Sequence, residues 1–96
     1  MNPKPGEVWL ADLGLSAKTR PVVILSRHDP NAPRALVIYV PLTTQNRASR
    51  YEVEVGKPSF LNEPSVANVQ GIGSLPRARL ERRLGALPPD ALVKIK

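Results

Sequence analysis

Apolar residues in this chain come in short bursts of two kinds. Val22-Val23-Ile24-Leu25 and Ala35–Val40 (ALVIYV) are continuous apolar runs, the pattern of strands buried on both faces. Tyr51–Val55 instead alternates Tyr, Glu, Val, Glu, Val. That predicts a half-exposed strand, with Glu52 and Glu54 in water as solubilising groups and Tyr51, Val53 and Val55 on the core. Gly6–Leu13 (GEVWLADL) is mixed, with Val8, Leu10 and Asp12 on one face and Trp9, Ala11 and Leu13 on the other.

Turn signals separate these runs. Gly14–Thr19 is small and polar and predicts a loop. Arg20-Pro21 then opens the second strand, and Pro21 suits its first position because it cannot donate to a central ladder. Asp29-Pro30-Asn31 and Pro33 predict a surface turn, which makes His28 a surface histidine. Pro41 is expected to end the third strand, and Leu42–Arg50 to form a polar loop. Gly56–Pro64 reads as a loop with Phe60 and Leu61 tucked inward. Ser65–Leu75 (SVANVQGIGSL) is strand-like but broken by Gly71 and Gly73, the mark of a bulge or a close backbone approach. Arg77–Leu84 is basic and suggests a helical turn, followed by a strand over Arg82–Leu87. Pro88-Pro89-Asp90 starts a terminal helix, since proline fits the first turn and Asp90 faces its positive end. No repeat or linker divides residues 1–96, so one mainly β domain is expected, a small barrel or twisted sheet with a terminal helix.

Composition removes many functions. With no cysteine and a single histidine, thiolate catalysis, sulfur-based zinc sites and multi-histidine metal centres are excluded, and no metal or cofactor is expected. Eleven prolines and six glycines in 96 residues argue against long helices. No apolar run reaches the roughly 18 residues of a membrane span, and Met1-Asn2-Pro3-Lys4-Pro5 does not read as a signal peptide, so a cytoplasmic protein without membrane contact is expected. Fourteen Lys and Arg against eight Asp and Glu give +6, a charge that attracts polyanions, nucleic acid above all.

No Ser/His/Asp set, paired carboxylates or phosphate-binding glycine loop stands out. What remains is polar groups at strand ends. Arg20 starts the most apolar strand, and Thr43-Thr44-Gln45 follows the exit of the next. If these strands are antiparallel neighbours, Arg20 and Thr43 meet at one rim. Such a pair can bind a phosphate, the arginine through its planar fork and the threonine through its O–H. The same residues could equally bond loop carbonyls and cap a turn, and the pattern alone does not choose.

The motifs Pro5-Gly6-Glu7-Val8-Trp9-Leu10-Ala11-Asp12-Leu13, Lys18-Thr19-Arg20-Pro21-Val22-Val23-Ile24-Leu25-Ser26 and Val40-Pro41-Leu42-Thr43-Thr44-Gln45 resemble, in order and spacing, the opening motifs of the MazF/PemK family. Ser65–Ile72 (SVANVQGI) is similar to a later strand of that family. The resemblance implies an SH3-like barrel of the CcdB/MazF-like plasmid maintenance toxin fold. It also implies a homodimer restrained by a cognate antitoxin, and a metal-independent, sequence-specific endoribonuclease that acts as the toxin of a type II toxin–antitoxin pair. It places the catalytic roles on Arg20 and Thr43, the pair reached independently above. Arg20 would stabilise the phosphorane, and a guanidinium, which has donors and no acceptor, makes a poor base; no residue is an obvious general base. Single-stranded RNA is the expected substrate, cut to a cyclic phosphate and a 5′-hydroxyl, because only splayed bases expose their pairing edges. Thr44, Gln45, Asn68 and Gln70 are candidate RNA contacts, and Arg47 and Arg50 candidate phosphate contacts. The Gly14–Thr19 loop is shorter than in many relatives, and the terminal helix from Pro88 is shorter too, which implies a clipped end. The alternative is a basic barrel that binds nucleic acid or a protein target and cleaves nothing, as fold does not fix activity.

Overall fold

The structure is a computed structural model that describes residues 3–14, 19–27, 35–45 and 48–95; His28 and Arg47 lie outside them. Among the described residues the chain forms β1 (Glu7–Asp12), β2 (Thr19–Ile24), β3 (Leu36–Thr43), β4 (Glu52–Gly56), β5 (Ser65–Asn68), β6 (Gly73–Pro76), β7 (Leu80–Ala86) and the helix α1 (Pro89–Ile95). Every strand pairing is antiparallel. The strands run β4-β5-β3-β2-β1-β7, with β6 also on β3.

Two features of the connections shape this sheet. The strand β3 carries two partners end to end along one edge: β6 against Leu36–Tyr39 and β5 against Leu42–Thr43. Between them a 3₁₀ turn at Val69–Gly71 steps off the ladder. In addition, β6 lies on the outer edge of β3 and β7 on the outer edge of β1, yet only Arg77–Arg79 joins them. A link of that length spans about 10 Å, so β3, β2 and β1 must curl until their outer edges approach. The result is an unclosed barrel, the mainly β architecture that the sequence pattern predicts, with α1 at its end.

Curling divides the core in two. Inside lie Trp9, Ala11, Val22, Ile24, Val37, Leu75 and Leu80, with Leu13 and Tyr39 against them. On the other face Val8, Val23, Val40, Leu42 and Ala67 are covered by Leu61, Leu87 and Ile95, with Phe60 and Leu92 alongside. At roughly 25 cal/mol per Å² of apolar area, both layers contribute to stability. The turn at Lys4–Glu7 opens β1: Glu7 N–H donates to Lys4 O at 3.0 Å, and Gly6 adopts φ +88°, which only glycine takes without strain.

Several expectations need correction. Pro21 and Pro41 are inside strands rather than at their limits. The β2–β3 ladder begins at Val22, and Pro41 faces the gap between β6 and β5, so each proline sits where one side of its strand lacks a partner. The first half of β3 is not buried on both faces, since Leu36 and Ile38 are 43% and 46% exposed. Tyr51 faces solvent instead of the core, just before β4. The last strand starts at Leu80, two residues earlier than its charged sequence suggests. Among the described residues no helix is long and apolar enough to cross a membrane.

Candidate active site

Strand register brings the polar strand ends together. Val22 pairs with Pro41, so two residues further out Arg20 and Thr43 stand opposite one another on the inner face of the curl, beyond the last ladder pair. At that barrel mouth lies a cleft of about 450 Å³, a usual place for a ligand site. Arg20, Thr43, Gln45, Asn68 and Gln70 line it, as do Leu13, Pro41, Leu42, Ser49 and Glu52.

Each polar group is held by its own stretch of backbone. Gln45 N–H donates to Thr43 Oγ1 at 3.1 Å; the threonine oxygen thus accepts from the turn while its O–H can donate outward. Asn68 is the last residue of β5, and Gln70 sits on the 3₁₀ turn. That turn packs tightly on β3: a Cβ at Gly71 would meet Pro41 Cγ at 2.8 Å, so only glycine lets the turn settle beside the cleft. Ile72 N–H closes the turn on Val69 O at 3.1 Å, and Val69 N–H ties it to Tyr51 O at 2.8 Å.

Among the described residues the Arg20 side chain has no hydrogen-bond or ion-pair partner. The opposite end of β1 is built differently. There the Glu7 carboxylate accepts from Lys4 N–H at 2.8 Å, Trp9 Nε1–H at 3.1 Å and Arg83 Nε–H at 2.8 Å. Burial pushes Glu7 up, but these three donors and the Arg83 charge outweigh it and hold its pKa below the ordinary glutamate value.

Not every expected contact reaches the cleft. Thr44 points away from Thr43 and lines other hollows with Ser65. Arg50 is exposed and outside the cleft, and Arg47 is beyond the described residues. Sequence reasoning missed Ser49 and above all Glu52, which is half-buried in the cleft wall rather than a solvent-facing group. Among the described residues no three His, Asp or Glu side chains are grouped to hold a metal ion.

Comparison with known proteins gives the family and the fold. Residues 4–96 match the family described as PemK-like, MazF-like toxin of type II toxin-antitoxin system. Endoribonuclease MazF3 of Mycobacterium tuberculosis is 36% identical over 70 residues, which cover 73% of this chain and 68% of that protein. The M. tuberculosis toxin MazF-mt6 has a similar structure, with TM-score 0.80 at 30% identity over 93% of this chain and 87% of its own. An endoribonuclease in complex with its cognate antitoxin, from a mycobacterial species, superposes with TM-score 0.79 at 32% identity, over 97% and 86% of the two chains.

Proposed function

This chain belongs to the PemK-like, MazF-like toxin family of type II toxin–antitoxin systems, and on that premise we propose that it is a metal-independent endoribonuclease that cuts single-stranded RNA at selected sequences. The observation that carries the reading is an open cleft in which Arg20, whose side chain has no partner among the described residues, faces a threonine hydroxyl. A phosphodiester seated between them receives two charge-matched donors from Arg20 and one hydroxyl donor from Thr43.

Cleavage then follows from the substrate's own chemistry. The 2′-oxygen attacks the adjacent phosphorus as its proton passes to solvent water, and the bond to the 5′-oxygen breaks as that oxygen takes up a proton from water. The products are a cyclic phosphate and a 5′-hydroxyl end. Negative charge grows on the non-bridging oxygens along the way, and fixed donors aimed at those oxygens lower the barrier. Gln45, Asn68 and Gln70 carry amides that donate and accept together, suited to base edges. Arg50, exposed and outside the cleft, is a candidate phosphate contact for RNA beyond it.

The natural assembly is a homodimer checked by a cognate antitoxin in the cytoplasm. What supports a second copy is the outer face of β3, where Leu36 and Ile38 are exposed opposite Pro76 and Ser74 of β6. The net charge of +6 suits both RNA and an acidic antitoxin segment.

Incubation of the purified protein with mixed-sequence RNA in EDTA, followed by end mapping, tests this. Cyclic phosphate and 5′-hydroxyl ends at recurring sites are expected; intact RNA would leave a basic barrel that only binds. Sedimentation at micromolar concentration is expected to give twice the chain mass, and a monomer that still cuts RNA would remove the dimer from the active unit.

A further inference from the structure

Glu52 is the only carboxylate among the described residues lining the cleft, and the cleavage chemistry above gives it no task. Its position is specific. It pairs directly with Asn68 across the β4–β5 ladder, so the two half-buried side chains rise from the same face. Ser49 N–H donates to Glu52 Oε1 at 3.0 Å, and Glu52 N–H donates to Ser49 O at 3.2 Å. This reciprocal turn orients the carboxylate.

We propose that Glu52, with Asn68 beside it, reads the edge of one RNA base and selects a base bearing an amino group over uracil. The inference rests on the ribonuclease reading above and adds a specificity residue to it. An ionised carboxylate only accepts hydrogen bonds, over about four directions. Cytosine, adenine and guanine each present an amino group as donor, and carboxylates pair with such groups in nucleic-acid recognition. Uracil instead offers two carbonyl oxygens that flank one N–H, so its edge sets acceptor against acceptor. The Asn68 amide supplies the donor that an amino-bearing base needs for its neighbouring acceptor. In a partly desolvated cleft such a mismatch is felt strongly.

Distance favours base reading over proton transfer. The strand β5 separates β4 from β3. Neighbouring strands are about 4.8 Å apart, which sets β4 about 10 Å from the strand that carries Thr43. A proton acceptor must come within about 3.2 Å of its proton donor. A phosphate held at Arg20 and Thr43 leaves a base, not the 2′-hydroxyl, to span the remaining width of the cleft.

The test is cut-site mapping on one mixed-sequence RNA with wild type, Glu52→Gln, Asn68→Ala and, as a control on the same strand, Glu54→Gln. Wild type is expected to disfavour uracil at one position about tenfold to a hundredfold. Glu52→Gln keeps the shape and the Ser49 contact but adds a donor, and is expected to lose that preference while other positions keep theirs. Asn68→Ala relaxes the same position, an independent reading should Glu52→Gln fold poorly. Glu54→Gln leaves the map unchanged. An unaltered map in both Glu52→Gln and Asn68→Ala overturns the inference. So does a uniform loss of rate at every site together with a lost acidic limb of the pH–rate profile, which would make Glu52 a proton carrier. Intact RNA with wild type overturns the ribonuclease reading itself, and this inference with it.

Discussion

The two ends of β1 each hold an arginine beside polar groups, and they have opposite character. At the start of the strand, Arg83 is bound to Glu7, and the carboxylate is filled by two further donors. The Glu7 carboxylate and the Arg83 guanidinium there answer one another within the chain. Near the strand's other end, Arg20 stands across from Thr43 at an open cleft, and among the described residues no carboxylate pairs with it. The first cluster fastens a strand to its neighbour, whereas the second leaves an arginine side chain at the cleft with no partner among the described residues. Whether an arginine is structural or functional thus depends less on its exposure than on whether the fold supplies its anion.

That contrast predicts separable phenotypes. Arg20→Ala is expected to lower single-turnover RNA cleavage by about two to three powers of ten while leaving the melting temperature nearly unchanged. Arg20→Lys is expected to recover little, since a point charge does not replace a planar fork. A folded Arg20→Ala protein that cuts at the wild-type rate would erase the distinction. Thr43→Val removes one donor to a charged oxygen and is expected to slow cleavage by about tenfold. Its Gln45 turn also loses an acceptor, so circular dichroism should accompany the rate measurement.

At the closed end the readouts reverse. Arg83→Ala is expected to leave cleavage intact and to lower stability by about 0.5–1 kcal/mol, measured by urea unfolding, because half of the Arg83 side chain remains exposed and screened. The pH dependence sharpens this further. The folded pKa of Glu7 is depressed, so its contribution is present above the ordinary value of 4.5 and is lost as the pH falls through that value toward the folded one. Wild type and Glu7→Gln are therefore expected to differ in melting temperature at pH 7 and to converge in acid, with Trp9 fluorescence as the local probe.

Much of this was legible in the residues. Apolar runs located the central strands, because strands packed on both sides read as near-continuous apolar stretches, while Pro21 and Pro41 marked positions without a ladder partner on one side rather than strand limits. Arg20 and Thr43 were legible as a pair because antiparallel neighbours bring a start beside an end. The fate of Glu52 was not. Its alternation with Tyr51 and Val53 marks a polar face, but only the pairing of β4 with β5 and the step of the 3₁₀ turn decide that this face borders a cleft rather than water. Terminal Leu92, Val93 and Ile95 teach the same lesson. Taken alone they suggest a helix in need of a partner, yet Ile95 is buried and Leu92 packs on the chain's own core, leaving only Val93 in solvent among the three. Local pattern reports which residues avoid water, and tertiary contacts decide what they avoid it against.

The outer strand β7 bears on how this molecule behaves in a crowded cell. An unclosed sheet has a free rim, and a free rim invites other chains to add strands and grow fibres. Against β1 this strand slips register twice, and it displays Glu81, Arg82 and Arg83 in succession on its exposed stretch. A stranger attempting to zip onto that rim meets a crooked backbone and dense charge of both signs. The outer edge of β7 is thereby kept from becoming a seed for aggregation.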